Sequence, residues 1–255
     1  MTLVIGLSDR TIVVSGAARG LGAEFARACA TAGARLALAD INGAQADIVA
    51  QELRQGGCEA EGFAVDIADP VAVSTLATAV ADRFGSVDGL LNNAALATGI
   101  GGKTFEDIDL DQWDLVMRIN VRGTWLMTKA FAPMLRESAK GGRVLNVASD
   151  TALWGAPRLL HYVASKGAVI SMTRSLSREL GQDNITVNAL APGLVRVPAT
   201  DYVPEERKQL YVSGAAIQRP QVPQDTVGAA VFLLSDASAF VSGQILPING
   251  GFISA

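Results

Sequence analysis

Short apolar runs alternate with longer amphipathic stretches along this chain, a pattern that predicts strands and helices taking turns. The apolar runs fall at 11–15 (TIVVS), 35–39 (RLALA), 62–65, 87–91, 144–148 (VLNVA), 185–190 and 243–248. Each is short and little interrupted by polar residues, which suits a parallel strand buried on both faces. Between them, apolar positions recur at helical spacing over 21–32, 71–84, 110–135, 162–180 and 227–234. This alternation predicts an α/β fold: a doubly wound parallel sheet of about seven strands, a Rossmann fold with helices on both faces. The stretch 110–135 reads as one long helix, with Asn120 in its apolar face and a late interruption at Pro133. No repeat, low-complexity tract or linker divides the chain, so residues 1–255 are expected to form one domain. Two segments lack either period. Residues 96–103 read as a mobile, mostly apolar loop, and 194–222 as an irregular, proline-punctuated loop with a short helix at 205–212. A long loop of that kind in a compact domain usually covers a ligand.

In an open parallel sheet the ligand lies beyond the carboxyl ends of the strands, and the residues there carry chemistry. The first run leads into Gly16-Ala17-Ala18-Arg19-Gly20-Leu21-Gly22, which opens a helix. Backbone N–H groups and the helix dipole at such a turn favour a phosphate. Gly16 permits the tight turn, while Gly20 and Gly22 permit close approach of a pyrophosphate and of the strand to the helix. The spacing is G-x3-G-x-G rather than the G-x-G-x-x-G of the usual fingerprint. Asp40 closes the second run, about 20 positions on, where a carboxylate accepts from the adenosine ribose hydroxyls and repels a 2′-phosphate. Arg19 pulls the other way, since a cation in the glycine loop can pair with that phosphate. Asp40 weighs more, because it meets the ribose directly and a desolvated like-charge contact is costly. The competing role for Asp40 is to cap the next helix. Asp66 and Ile67 follow the third run, placed to meet the adenine edge, and Asn93-Ala94 follow the fourth. NAD is the expected cofactor, ahead of NADP.

Tyr162 and Lys166 stand four residues apart in a helical run, so they share one face. A phenol with an ordinary pKa of about 10 is a poor base at neutral pH, and a fixed cation beside it lowers that value. Ser149, at the end of the 144–148 run, can hold a carbonyl or alcohol oxygen for proton transfer. A Tyr-x3-Lys pair alone recurs by chance in helices, and its meaning here comes from the other motifs. Leu153, Trp154, Leu159, Val197 and Tyr202 are candidates to line a substrate pocket, with core or subunit packing as the competing role. His161 precedes Tyr162 and so points to a different side of the helix, structural or at the pocket edge.

Composition narrows the partners. Charged residues make up 18% and hydrophobic residues 49%, so part of the apolar surface is expected to be buried between subunits. A net charge of −4, one histidine and no basic stripe argue against nucleic acid, and no metal site is expected. Cys29 and Cys58 read as free buried thiols of a reducing compartment. No signal peptide or membrane-spanning run is apparent, so a cytoplasmic protein is expected.

Taken in order, these motifs resemble the classical short-chain dehydrogenase/reductase family over nearly the whole chain. The family's T-G-x3-G-x-G appears as Ser15-Gly16 through Gly22, its N-N-A-G as Asn92-Asn93-Ala94-Ala95, and its catalytic asparagine as Asn120. Its catalytic serine matches Ser149, its Y-x3-K matches Tyr162 and Lys166, and its P-G turn matches Pro192-Gly193, followed by Val195. Three positions depart. Ser15 replaces threonine and keeps the hydroxyl. Ala95 replaces glycine, which is mild unless φ is positive. Val197 stands where the family's threonine meets the nicotinamide carboxamide, with Thr200 as a possible substitute.

The resemblance implies hydride transfer between a nicotinamide and a substrate carbon. Ser149 then holds the substrate oxygen, Tyr162 exchanges the proton, Lys166 lowers the tyrosine pKa and binds the nicotinamide ribose, and Asn120 holds a water linking the lysine to solvent. It also implies a homo-oligomer, with a tetramer expected. The expected substrate is a small, mainly apolar secondary alcohol or ketone. One alternative is an NADPH-dependent 3-oxoacyl-thioester reductase serving an acyl carrier protein; another is a non-catalytic dinucleotide-binding scaffold, against which the intact Asn-Ser-Tyr-Lys set argues. Carrier docking needs cations, and Ser138-Ala139-Lys140 offers one lysine while Gly181-Gln182-Asp183-Asn184 offers an acid and no base.

Overall fold

The computed structural model describes residues 5–253. Seven parallel strands form one sheet in the order β3-β2-β1-β4-β5-β6-β7. The chain runs β1 (Thr11–Ser15), α1 (Gly20–Thr31), β2 (Arg35–Asp40), α2 (Gly43–Gln55), β3 (Ala60–Ala64), α3 (Pro70–Phe84) and β4 (Gly89–Asn92). It continues α4 (Leu110–Met117), a π-helical segment (Arg118–Gly123), α5 (Thr124–Glu137), β5 (Arg143–Val147), α6 (Thr151–Trp154) and α7 (Leu160–Leu180). It closes with β6 (Thr186–Pro192), α8 (Glu205–Gly214), α9 (Gln224–Leu234) and β7 (Ile245–Ile248).

Every residue of β1, β4, β5 and β6 is buried, as the uninterrupted apolar runs require. Successive side chains of a strand point to opposite faces. Ile12 and Val14 join Phe25, Leu36, Val49 and Leu233 in one core layer. Val13 joins Val80, Met127, Phe131 and Val187 in the other. The strand order reverses direction at β1, which pairs with β2 on one side and β4 on the other. That switch point opens the crevice where such sheets bind ligands.

Two local expectations are corrected. Asp40 does not cap α2; Asn42 does, its side chain accepting from the Gln45 N–H at 3.1 Å. The long helix is not interrupted at Pro133, which lies inside α5. The carbonyl it leaves free belongs to Lys129, an exposed residue, where solvent can satisfy it. The helix changes character at residues 118–123 instead, around Asn120. Single-turn π segments are rare and often lie at functional sites; at the end of this one the Thr124 hydroxyl donates to the Asn120 carbonyl at 2.8 Å.

At the amino ends of the strands lie two buried arginines that the apolar pattern does not announce. Arg10 and Arg143 are 1% and 2% exposed. Both turn to Asp236, on the turn after α9: Arg10 pairs with it directly and Arg143 at 3.5 Å. Arg10 also donates to the Lys140 and Gly141 carbonyls, and Arg143 to that of Gly142. Burial and the neighbouring Arg10 hold Arg143 below its ordinary pKa. No helix among the described residues is long and apolar enough to cross a membrane.

Candidate active site

Gly16, Arg19, Gly20, Leu21, Gly22, Asp40, Asp66, Ile67, Asn93, Ala94, Tyr162, Lys166, Pro192, Gly193 and Val195 line one cleft of about 460 Å³ at the carboxyl ends of the strands. The glycine turn is built for close packing. Gly16 has φ +67°, and a Cβ on it would lie 2.7 Å from Ala94 Cα. A Cβ on Gly22 would lie 2.0 Å from the Gly16 carbonyl oxygen. No side chain caps the first turn of α1, so its N–H groups are left for an anion. The Ser15 hydroxyl accepts from the Asn93 and Ala94 N–H groups at 3.1 and 3.2 Å, tying β1 to β4 at the switch point. Ala95 is not among the residues with positive φ. Asp40 accepts from the Ala18 N–H at 3.0 Å and the Asn42 N–H at 2.9 Å, which fixes its carboxylate on the cleft wall. Arg19 is exposed on the lip above it. These features fit a dinucleotide: a turn without side chains beside free N–H groups, and a held acceptor one strand away.

Ser149 and Tyr162 line the same cleft. The Tyr162 phenol faces the Ser149 hydroxyl, which partly offsets a rise in its pKa caused by desolvation, with Tyr202 and Asp150 adding to the rise. The Ser149 hydroxyl is itself held by Thr151, whose Oγ1 donates at 2.9 Å. Lys166 is buried and donates to the Val147 carbonyl at 2.7 Å, with its Nζ 5.7 Å from the Tyr162 ring centre. Burial lowers its pKa to about 8. A pKa of about 8 leaves the ammonium mostly charged at neutral pH, so a cation stands beside the phenol, whose own pKa is set first by desolvation.

Asn120 stands behind these groups and does not line the cleft. Its amide donates to the Leu96 carbonyl and to Ser165 Oγ, both at 3.1 Å, and its oxygen accepts from the Leu96 N–H at 2.7 Å. Ser165 in turn donates to the Tyr162 carbonyl at 2.8 Å. The π segment thus presents Asn120 between the loop after β4 and the tyrosine helix. Ser165 and Thr151 were not anticipated; both sit one or two residues from a candidate catalytic residue, which is the only signal they carry.

The substrate candidates separate. Val197 lines the cleft, together with Leu96, Ala97, Thr98, Pro198 and Ala199, which come from the two loops flagged as irregular. Leu153 packs against the core under β5 and β6. Trp154 turns to an aromatic group with Tyr211 and Phe252, ring centres 6.2 and 5.7 Å away. Leu159 abuts Gly101. Tyr202 bridges the two loops, its hydroxyl donating to the Ala97 carbonyl at 2.8 Å. None of these four is in the cleft lining, although Tyr202 is joined to it through Ala97. His161 is buried off the cleft, and burial lowers its pKa. Thr200 lines the cleft, but its hydroxyl is folded back on the Val195 and Val197 carbonyls at 2.8 and 2.9 Å. Cys29 is buried, whereas Cys58 is only half-buried; both are free thiols. A larger cavity, about 510 Å³, lies under the 194–222 loop and contains none of the four candidate catalytic residues. Three of those four, Ser149, Tyr162 and Lys166, line the smaller cleft.

Comparison with known proteins gives a consistent result. A family model described as enoyl-(acyl carrier protein) reductase matches residues 16–253. The chain is 36% identical to a D-threitol dehydrogenase of Mycolicibacterium smegmatis, over 96% of this chain and 94% of that protein. It is 34% identical to a (2S)-[(R)-hydroxy(phenyl)methyl]succinyl-CoA dehydrogenase subunit of Thauera aromatica, over 97% and 98%. A crystal structure of a 3-ketoacyl-(acyl-carrier-protein) reductase of Brucella melitensis complexed with NADH superposes with a TM-score of 0.89 at 31% identity, covering 97% of this chain and 99% of that one.

Proposed function

The chain belongs to the classical short-chain dehydrogenase/reductase family, and from that premise we propose that it interconverts a small, free secondary alcohol and its ketone with NAD(H). It is an oxidoreductase of CH–OH groups that uses a nicotinamide cofactor. The observation that carries the finer reading is the apolar wall of the cleft. Ser149 and Tyr162 share the cleft with Leu96, Ala97, Val197, Pro198 and Ala199, of which Val197 also lies against Gly20 of the glycine turn. Such a wall suits a ring or short branched chain.

The dinucleotide, when bound, supplies or accepts the hydride. The chain's own residues do the rest. Ser149, oriented by Thr151, holds the substrate oxygen. Tyr162, whose desolvated phenol keeps its proton, is poised to donate that proton to a carbonyl oxygen as the carbon receives hydride. Lys166 has one N–H committed to Val147 and its remaining donors available to the cofactor ribose and the phenol. Asn120 fixes the loop at Leu96 against the tyrosine helix. With Val197 lacking a hydroxyl and the Thr200 hydroxyl occupied, neither position offers a free hydroxyl to the nicotinamide amide.

Asp40 supports NAD over NADP. Its carboxylate is pinned by two backbone N–H groups, so it cannot swing away from a 2′-phosphate. Asp40→Ala is expected to cut the ratio of NAD to NADP catalytic efficiency by at least about tenfold, in line with about 1.4 kcal/mol of like-charge repulsion removed. An unchanged ratio assigns cofactor choice to Arg19 instead.

The alternative, reduction of a carrier-bound 3-oxoacyl thioester, is favoured by the Brucella structural neighbour. The charge argument against it needs correcting. Arg136 lies beside the 138–140 segment, but it is engaged: its Nε donates to Asp183 at 2.7 Å. The cation and the acid neutralise each other, leaving little charge to steer an acidic carrier. Catalytic efficiency on a cyclic or aromatic secondary alcohol is expected to exceed that on carrier-bound acetoacetyl thioester by tenfold or more; the reverse order makes the carrier reading correct. Self-association into a homotetramer is a reading of the same kind. Fully exposed Phe240, ahead of edge strand β7, and the more weakly exposed Leu246 on it give it an apolar face.

A further inference from the structure

The residue after Ser149 is Asp150, a carboxylic acid with no exposure to solvent. Its main-chain N–H donates to the Pro192 carbonyl at 3.0 Å, joining the ends of β5 and β6. Its Oδ1 accepts from the Tyr211 hydroxyl of α8 at 3.1 Å. Its Oδ2 is buried with no hydrogen-bond partner among the described residues. The Trp154 indole donates to the same Tyr211 hydroxyl at 3.3 Å, and Tyr211 stacks on Phe252 at 4.7 Å.

Helix α8 is otherwise lightly attached. The 194–222 loop leaves and rejoins the body at one narrow neck, where Val195 bridges Gln221. Beyond that neck, α8 itself is held by the Tyr211 contacts and by Arg207, which donates to the Pro157 carbonyl at 3.0 Å, while the segments flanking it are tied by Tyr202 to Ala97 at 2.8 Å and by the Ile217 N–H to Gly250 at 2.9 Å. The 510 Å³ cavity lies beside it, walled by Tyr211, Val212 and Asn249, so α8 has space to move into. The same loop carries Val197 to Thr200, which line the cleft that holds Ser149 and Tyr162.

We propose that Asp150 is a positioning residue: through Tyr211 and Trp154 its carboxyl seats α8 against the strand end that carries Ser149, and so sets the affinity for substrate. This rests on the alcohol/ketone reading of the cleft for its substrate arm only. The seat is pH-dependent. Desolvation pushes the Asp150 carboxyl up to about 7 from an ordinary 3.8, opposed first by the hydrogen bond from Tyr211. The titratable or charged groups facing this cluster are Tyr211 and Arg207 on α8 and Tyr162 on α7. Neither tyrosine supplies a counter-charge, and Arg207 lies over the Trp154 ring, with its hydrogen bond going to Pro157. A pKa raised in the seated state means that seating is fully favoured at low pH. That advantage declines as pH rises from about 4 and is gone above about 7.

The test has two arms. Tryptophan emission of the free protein is followed from about pH 5 to pH 8, with Trp154→Phe identifying the contribution of Trp154. That contribution is expected to change with a midpoint below or near pH 7 in the wild type and to stay flat in Asp150→Asn, which keeps the shape and cannot ionise. In the kinetic arm, Asp150→Ala and Tyr211→Phe are expected to raise substrate KM about tenfold, with kcat within about twofold and NADH affinity unchanged; Asp150→Asn restores a near-wild-type KM. Trp154 emission that titrates equally in Asp150→Asn overturns the proposal, as does an unchanged KM in both Asp150→Ala and Tyr211→Phe. The emission arm needs no turnover, so absence of activity on any alcohol or ketone counts against the proposed function alone.

Discussion

Tyr162→Phe is expected to lose at least about 10²-fold in turnover, and up to about 10⁴-fold, while binding NADH within a few-fold of the wild type. The range is that of a single acid–base group acting in the transition state. The ring still packs beside Lys166 and Ser149, so the cleft keeps its shape and only the hydroxyl disappears. Desolvation already holds the phenol protonated, so the group lost is a proton donor in the ketone-reducing direction. Single-turnover reduction with NADH, together with NADH fluorescence titration, separates the two quantities. A variant that keeps more than about 1% of the wild-type rate shows that another group moves the proton.

Gly22→Ala is the second large effect, and it acts on binding rather than chemistry. The new Cβ would lie 2.0 Å from the Gly16 oxygen and 2.6 Å from Asn93 Nδ2, so the turn and α1 must separate. Overpacking of this kind costs about 1–3 kcal/mol, which corresponds to roughly 5- to 150-fold weaker NADH binding if the cost falls on the bound state. The control is Gly228→Ala in α9, where a Cβ meets nothing within 4 Å. Alanine is the better helix former there, so that protein should be as stable as the wild type or more so. Equal NADH affinity in the two variants removes the glycine turn from the binding site.

Much of this molecule was legible because two periods and a few strand ends carry it. The buried strands appear as apolar runs, and the residues after them fall at one edge whatever the details of packing, so Gly16, Asp40, Asn93, Ser149 and Pro192 converge. The substrate wall was not legible in the same way. Trp154 and Leu153 are near Ser149 in sequence, but a short helix turns them onto Tyr211 and onto the core, and only tertiary contacts decide that. The π segment was hidden because the apolar pattern of 110–135 runs through it unbroken. Asp150 was missed for a related reason: a lone acid after a strand reads as polar and exposed, and nothing local says that Tyr211, sixty-one residues on, covers it.

The two arginines beneath the sheet bear on how the chain is made. A ribosome delivers Asp236 226 positions after Arg10. The first three strands are neighbours in the sheet and can pair as soon as they emerge, yet the guanidinium at the foot of β1 has no carboxylate to meet until α9 has followed. Burying a cation without its partner is strongly unfavourable. The amino-terminal half therefore waits, paired but open at its lower end, and the turn at Asp236 is the stitch that closes it. Synthesis cut short before that turn is expected to leave a nascent chain that a protease can still enter at Arg10, however complete its upper edge.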